Sequence, residues 1–224
     1  MRTSVQSLQS LFDLEEPFEW EARYNIAPTD TVPIVACDKE GRRRLKMAKW
    51  GLVPSWAKDT SIGIKMLNAR AETLTERPAY RRAFERRRCL VPADGFFEWT
   101  DAPEAAGKRA PKQPYRFTLD PEAPFAFAGL YEINGSGEHA LLSFTIVTTT
   151  PNELVTPFHD RMPVILPPEQ YAVWLDREVS EPEALQPLLR PLPAETMRAY
   201  PVTTKINRPA YDEPDGIEPV ALAS

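Results

Sequence analysis

Short apolar runs that never alternate regularly with helices constrain the fold of this chain most. Runs rich in β-branched and aromatic residues fall at 31–38, 43–50, 89–99, 114–119, 125–132 and 141–149, which predicts strands. Lys39-Glu40-Gly41-Arg42 joins the first two as a hairpin, and Asn134-Gly135-Ser136-Gly137 is a second hairpin turn. Residues 163–166 predict one more short strand. Helices are few and lie at the flanks. Val5, Leu8, Leu11 and Phe12 share one helical face behind a Ser4 cap. Residues 75–88 predict a helix opening near Pro78, with Tyr80, Ala83 and Phe84 as its apolar positions. Residues 168–176 predict a helix with Pro168 in its first turn, and 181–190 a broken one. Strict strand–helix alternation would indicate a doubly wound parallel sheet. Its absence predicts an α+β fold with an antiparallel, barrel-like β core and flanking helices.

The 24 prolines are scattered rather than bunched into a linker, so a single domain over residues 1–224 is expected. The Ala-, Pro- and Lys-rich segment 101–113 predicts an exposed loop. Residues 212–224 predict an acidic tail through Asp212, Glu213, Asp215 and Glu218. No run approaches the roughly 20 apolar residues of a membrane span. The N-terminus lacks an apolar run followed by a small-residue cleavage site. Two cysteines, Cys37 and Cys89, make no disulfide framework. These features predict a cytoplasmic chain with no membrane partner.

Net charge is −5, which by itself disfavours nucleic acid. Its distribution points the other way. Residues 42–49 hold five basic side chains and no acid, and 81–88 hold five arginines against Glu85. Local fields steer a polyanion more than net charge does; basic runs also coat ordinary solvated faces.

Three polar residues stand in unusual settings. His159 lies in Pro-Phe-His-Asp-Arg-Met-Pro (157–163), one of only two histidines. Prolines stiffen its backbone, and charged neighbours are at hand to tune it. Glu98 sits in Gly-Phe-Phe-Glu-Trp. A carboxylate among aromatics is desolvated, which raises its pKa and suits proton transfer; a solvated strand end would not do this. Asn68 precedes Ala69-Arg70-Ala71-Glu72. Its amide both donates and accepts, as a positioning group does, and as a turn asparagine also does. Arg70 could fork onto a phosphate or simply pair with Glu72. Trp50 and Trp56 flank a Gly-Leu-Val-Pro-Ser loop, where they would stack on unpaired bases or pack in a core. Cys89 follows an arginine run that could lower its thiol pKa; a small buried hydrophobe is the other reading. No His/Cys/carboxylate cluster has metal-ligand spacing, and no glycine-rich phosphate loop is present, so no metal or cofactor is expected.

Seven motifs in order resemble the SOS-response-associated peptidase (SRAP) family: residues 22–29, 49–57, 68–73, 87–99, 125–132, 143–152 and 159–166. The resemblance covers residues 5 to about 175 well and the tail more loosely. It implies a monomer that binds abasic sites in single-stranded DNA and cross-links to them, working at the nucleoid during DNA damage. The family's nucleophile is a cysteine directly after an initiator methionine that the protein removes by autoproteolysis. The cysteine amine forms a Schiff base with the sugar aldehyde, and its thiol closes a thiazolidine. By this resemblance Asn68 positions the N-terminal residue, Glu98 moves protons, and His159 is the acid/base on the sugar. Arg70 and Arg161 hold phosphates. Trp50, Trp56, Asn25 and Pro28 line the DNA groove.

The family opens Met-Cys-Gly-Arg. This sequence opens Met1-Arg2-Thr3-Ser4 and runs straight into the first helix. Neither internal cysteine replaces an N-terminal amine–thiol, because a peptide nitrogen is not nucleophilic whereas an amine with pKa near about 8 is. The expectation is a start lying upstream, with the cysteine on it. The alternatives are a non-covalent binder of single-stranded or abasic DNA that has lost its nucleophile, and a thiol hydrolase using Cys89 with His159 and Asn68.

Overall fold

A computed structural model describes residues 1–100 and 111–222, so most of the predicted 101–113 loop lies outside the described residues. Helix α1 (Val5–Phe12) starts where Ser4 accepts the Ser7 N–H and ends at Asp13 in the left-handed region. Strands β1 (Thr31–Cys37) and β2 (Arg43–Trp50) form the expected hairpin. Strand β3 (Asn68–Arg70) precedes helix α2 (Pro78–Arg86), which has Pro78 in its first turn.

The predicted strand at 89–99 is two. β4 (Arg88–Ala93) and β5 (Phe96–Thr100) belong to different sheets. The chain turns at Asp94-Gly95, where a Cβ on Gly95 would stand 2.8 Å from Arg116 Nε; only glycine lets that side chain pass. β6 (Gln113–Leu119), β7 (Phe125–Asn134) and β8 (Leu141–Thr149) follow. The expected strand at 163–166 is also split, into β9 (Met162–Pro163) and β10 (Ile165–Leu166). Helices α3 (Tyr171–Leu175) and α4 (Pro182–Leu185) are short, and Pro187 follows close after α4. Strand β11 (Met197–Pro201) has no counterpart in the sequence reading.

The main sheet closes on itself. β7, β4, β1, β2 and β8 are paired in series, and β8 returns to β7. The pairing is not wholly antiparallel. β8 runs parallel to β2 at Lys49↔Ser143 and to β3 at Asn68↔Ile146. A second sheet, in the order β11-β6-β5, lies beside it. Pro33 is tolerated inside β1 because β4 registers with that strand only at Val35↔Leu90.

Strand alternation divides the core. Val35, Leu90, Ala128 and Val147 pack outward under α1, α2 and α3, with Phe12, Phe84 and Trp174. Val32, Ile34, Val91, Phe127, Phe144 and Ile146 form the other face, with Phe117 from the second sheet.

The acidic tail is not a free tail. Val202 bridges Pro219, Val220 donates to the Pro201 carbonyl, and Ile217 is buried. Asp212 accepts from the backbone N–H groups of Tyr24 and Asn25 and from Arg23. Burial raises its pKa, but those donors outweigh burial and hold it below the usual carboxylate range.

Several arginines of the basic runs are structural. Arg42 and Arg44 pair with Asp38, and Arg43 reaches the Phe12 carbonyl. Arg87 pairs with Glu132. Arg88, only 4% exposed, donates to the carbonyls of Phe84, Glu85, Trp174, Asp176 and Val179. Burial pulls its pKa down to about 10, so it stays charged at neutral pH. It staples α2, β4 and α3 together. Replacing it by methionine orphans several buried carbonyls. Arg88→Met is therefore expected to lose at least about 3 kcal/mol of stability, read as a lower urea midpoint.

Candidate active site

A cavity of about 730 Å³ opens on the second core face, between the barrel and the β5–β6 sheet. Val32, Val91, Phe127, Phe144 and Ile146 give it an apolar floor. Asn68, Glu98 and His159 all line it, so the structure brings together three residues that lie on separate segments.

Each is placed by a different device. Asn68 begins β3, whose parallel register with β8 sets it beside Ile146 and Arg70 beside Thr148. Asn68 and Arg70 share one strand face, while Ala69 turns into the core. The Asn68 carbonyl accepts from the Tyr80 hydroxyl of α2 at 3.4 Å.

Glu98 sits on β5 opposite Tyr115. Phe96, on the same face, stacks on Phe117 at 5.0 Å and meets Phe127 edge-on at 6.1 Å. Burial raises the Glu98 pKa; His159 pulls it down and Asp160 pushes it up. The carboxyl therefore holds its proton to higher pH than a solvated glutamate does.

His159 ends a helical turn anchored by Asn152, which caps Val155 through Oδ1 and binds the Leu192 carbonyl through Nδ2. The His159 N–H donates to the Val155 carbonyl. The ring is half exposed. Its Nδ1 accepts the Arg161 N–H at 2.9 Å, with the Arg161 carbonyl at 3.1 Å and Asp160 Oδ1 at 3.2 Å. In the neutral ring the Arg161 N–H favours a hydrogen on Nε2, and the two oxygens favour one on Nδ1.

The other sequence-selected residues are divided. Arg161 lines the cavity, but its guanidinium forks onto Glu72, at 2.9 and 2.8 Å, and onto the Thr148 carbonyl at 2.6 Å. Glu72 thus pairs with Arg161, while Arg70 is exposed. Trp50 lines the cavity and donates to the Leu67 carbonyl at 3.0 Å. Trp56, 64% exposed, stands outside the lining. Pro28 lines the wall. Asn25 does too, but its amide nitrogen is within 3.0–3.2 Å of the carbonyls of Ile206, Arg208 and Tyr211, holding the tail in place.

Cys89 is not a nucleophile of this site. It is fully buried, against the close approach of Gly129, and burial drives its thiol pKa far up despite the arginines before it. That removes the thiol-hydrolase reading. The basic runs at 42–49 and 81–88 contribute nothing to the cavity wall among the described residues.

Sequence reading missed the far end of the cavity. Met1 and Arg2 enter it beside Asp94. Asp94 accepts the Arg2 N–H at 2.6 Å and the Thr3 hydroxyl at 3.2 Å. Arg116, which is 2% exposed, binds the Asp94 carbonyl and Glu122. The Met1 amine lies 4.0 Å from Asp94 Oδ1, and burial lowers its pKa. The Asp-Gly pair inside an apolar run was the one available signal that the chain turns there.

The raised Glu98 pKa has a stability consequence. The folded state binds this proton more tightly than the unfolded chain, so the stabilising contribution is present in acid and lost as pH rises through the folded pKa. Glu98→Gln should melt higher than the parent at neutral pH, with the difference vanishing in acid, as read by thermal denaturation across pH.

Comparison with known proteins agrees with this architecture. A family model described as SOS response associated peptidase (SRAP) matches residues 1–209. The chain is 43% identical over 201 residues to "Abasic site processing protein YoqW" of Bacillus subtilis (strain 168), covering 89% of this chain and 87% of that protein. It is 31% identical to "Abasic site processing protein HMCES" of Gallus gallus, covering 89% of this chain and 66% of that one. A crystal structure of a Bacteroides thetaiotaomicron protein superposes with a TM-score of 0.74 at 28% identity, covering 86% of this chain and 82% of that one. No helix among the described residues is long and apolar enough to cross a membrane.

Proposed function

The chain belongs to the SOS response associated peptidase (SRAP) family, and on that footing we propose that it is an abasic-site processing protein that captures abasic sites in single-stranded DNA covalently. One observation carries the reading: Asn68, Glu98, His159 and the first residues of the chain meet in a single cavity. An abasic sugar opens to an aldehyde. Attack by an α-amine gives a carbinolamine, and loss of its hydroxyl as water, with a proton supplied, gives an imine. Addition of the adjacent thiol to the imine carbon closes a thiazolidine, the thiol proton passing to nitrogen.

Glu98, which keeps its proton to higher pH than a solvated glutamate does, gives that proton to the departing hydroxyl, which leaves as water. His159, in the Nε2–H form that the Arg161 N–H favours, serves the sugar oxygen and the reverse reaction. The Asn68 amide positions the attacking segment. An apolar floor excludes water that would hydrolyse the imine. Arg70, which is exposed, takes a phosphate, and Arg161 reaches one only by giving up part of its fork on Glu72; Trp50, Trp56 and Pro28 line the strand's path, with Asn25 holding the wall behind them. The same N-terminal chemistry includes autoproteolytic release of the initiator methionine. Neither Cys37 nor Cys89 supplies the amine–thiol pair. The protein acts as a cytoplasmic monomer at the nucleoid.

The test uses a chain opened Met-Cys-Gly-Arg and abasic single-stranded DNA, with denaturing gels as the readout. A denaturant-resistant adduct is expected, and Glu98→Gln and His159→Ala should each slow its formation by roughly 10²-fold or more. Binding should weaken with salt at a slope of about −0.7 per phosphate contact. Absence of any adduct, with salt-sensitive binding retained, would leave only non-covalent recognition.

A further inference from the structure

We infer that Glu72 is a positioning residue for His159, acting through Arg161, and that it fixes which ring nitrogen carries the proton. This rests on His159 being the acid/base of the proposed chemistry, but its test does not.

Glu72 does not line the cavity; Arg161 and His159 do. The Glu72 carboxylate grips both terminal nitrogens of Arg161, at 2.9 and 2.8 Å. This fork fixes orientation as well as distance. Arg161 also holds the Thr148 carbonyl at 2.6 Å, so its side chain is tied at two points. Its own backbone N–H is the donor to His159 Nδ1, at 2.9 Å. Turning the Arg161 N–H away would leave Nδ1 with the two oxygens already within reach of it, the Arg161 carbonyl at 3.1 Å and Asp160 Oδ1 at 3.2 Å. Both are acceptors and would draw the hydrogen to Nδ1. Small movements of one residue therefore choose between two tautomers, and Glu72 stops the movement.

The strut has a second end. Glu72 lies two residues beyond Arg70, in the turn Ala71–Thr73 that closes β3. The Glu72–Arg161 pair therefore ties the strand bearing Asn68 to the loop bearing His159 across β8. A plain surface ion pair is worth little. This one is bidentate, and a backbone contact reinforces it on one side.

Histidine nitrogen NMR on the chain as it stands tests the inference, since His139 and His159 are its only histidines. His159 should show the Nε2–H form when neutral. In Glu72→Gln, and in Arg161→Lys, which keeps the charge but loses the fork, the preference for Nε2–H should fall by roughly fivefold, the worth of one ordinary hydrogen bond. His139 is the internal reference, and its signals should not move. An unchanged His159 in Glu72→Gln would overturn the inference. So would a change confined to one variant, or one shared by His139. None of these outcomes bears on whether abasic DNA is captured.

Discussion

Both edges of β8 are occupied, and the fold and the site both follow from that. Ser143 is opposite Glu132 of β7 on one side and Lys49 of β2 on the other. Ile146 lies between Gly129 and Asn68, and Thr148 between Pro163 and Arg70. One edge thus carries β7 and then β9, and the other carries β2 and then β3. The first halves of these pairings close the barrel. The second halves deliver Asn68 and the His159 loop to opposite sides of the same strand. A backbone ladder, with its fixed strand spacing, is what sets the separation of the two side chains. Glu98 arrives independently, from the second sheet, because the chain breaks at Gly95.

Much of this was readable locally. The Ser4 cap, the Pro78 helix start and the two hairpins are encoded within a few residues, so the sequence predicts them with a mechanism. The desolvated Glu98 was readable too, because its aromatic neighbours are adjacent in sequence and fall on the same strand. What could not be read is partner choice. An alternating apolar run marks a strand face but says nothing of which strand it meets. The parallel pairings of β8 join segments about 80 to 95 residues apart. Strand β11 was hidden because Met-Arg-Ala-Tyr-Pro has no clean alternation and draws its order from β6.

The charged residues show the same limit. Arg88 and Arg81 belong to one basic run, yet Arg88 is buried under five carbonyls and Arg81 is exposed. Composition is identical and role opposite, because burial is decided by the helix α2 and strand β4 junction rather than by the run. Asn25 is a parallel case: its motif marks it as special, and the structure spends its amide on the tail.

Glu98 and His159 differ most in solvation, and that difference is the chemically useful one. Glu98 shares a strand face with Phe96, whose ring packs on Phe117 and Phe127, and burial stabilises its acid form. His159 is half exposed, and its Nδ1 meets the Arg161 backbone and the Asp160 carboxylate. A positive imidazolium beside Glu98 favours the carboxylate, and a neutral one favours the acid. In the proposed chemistry the Glu98 carboxyl is the proton donor, and the charge on the neighbouring imidazole sets how readily it gives that proton up.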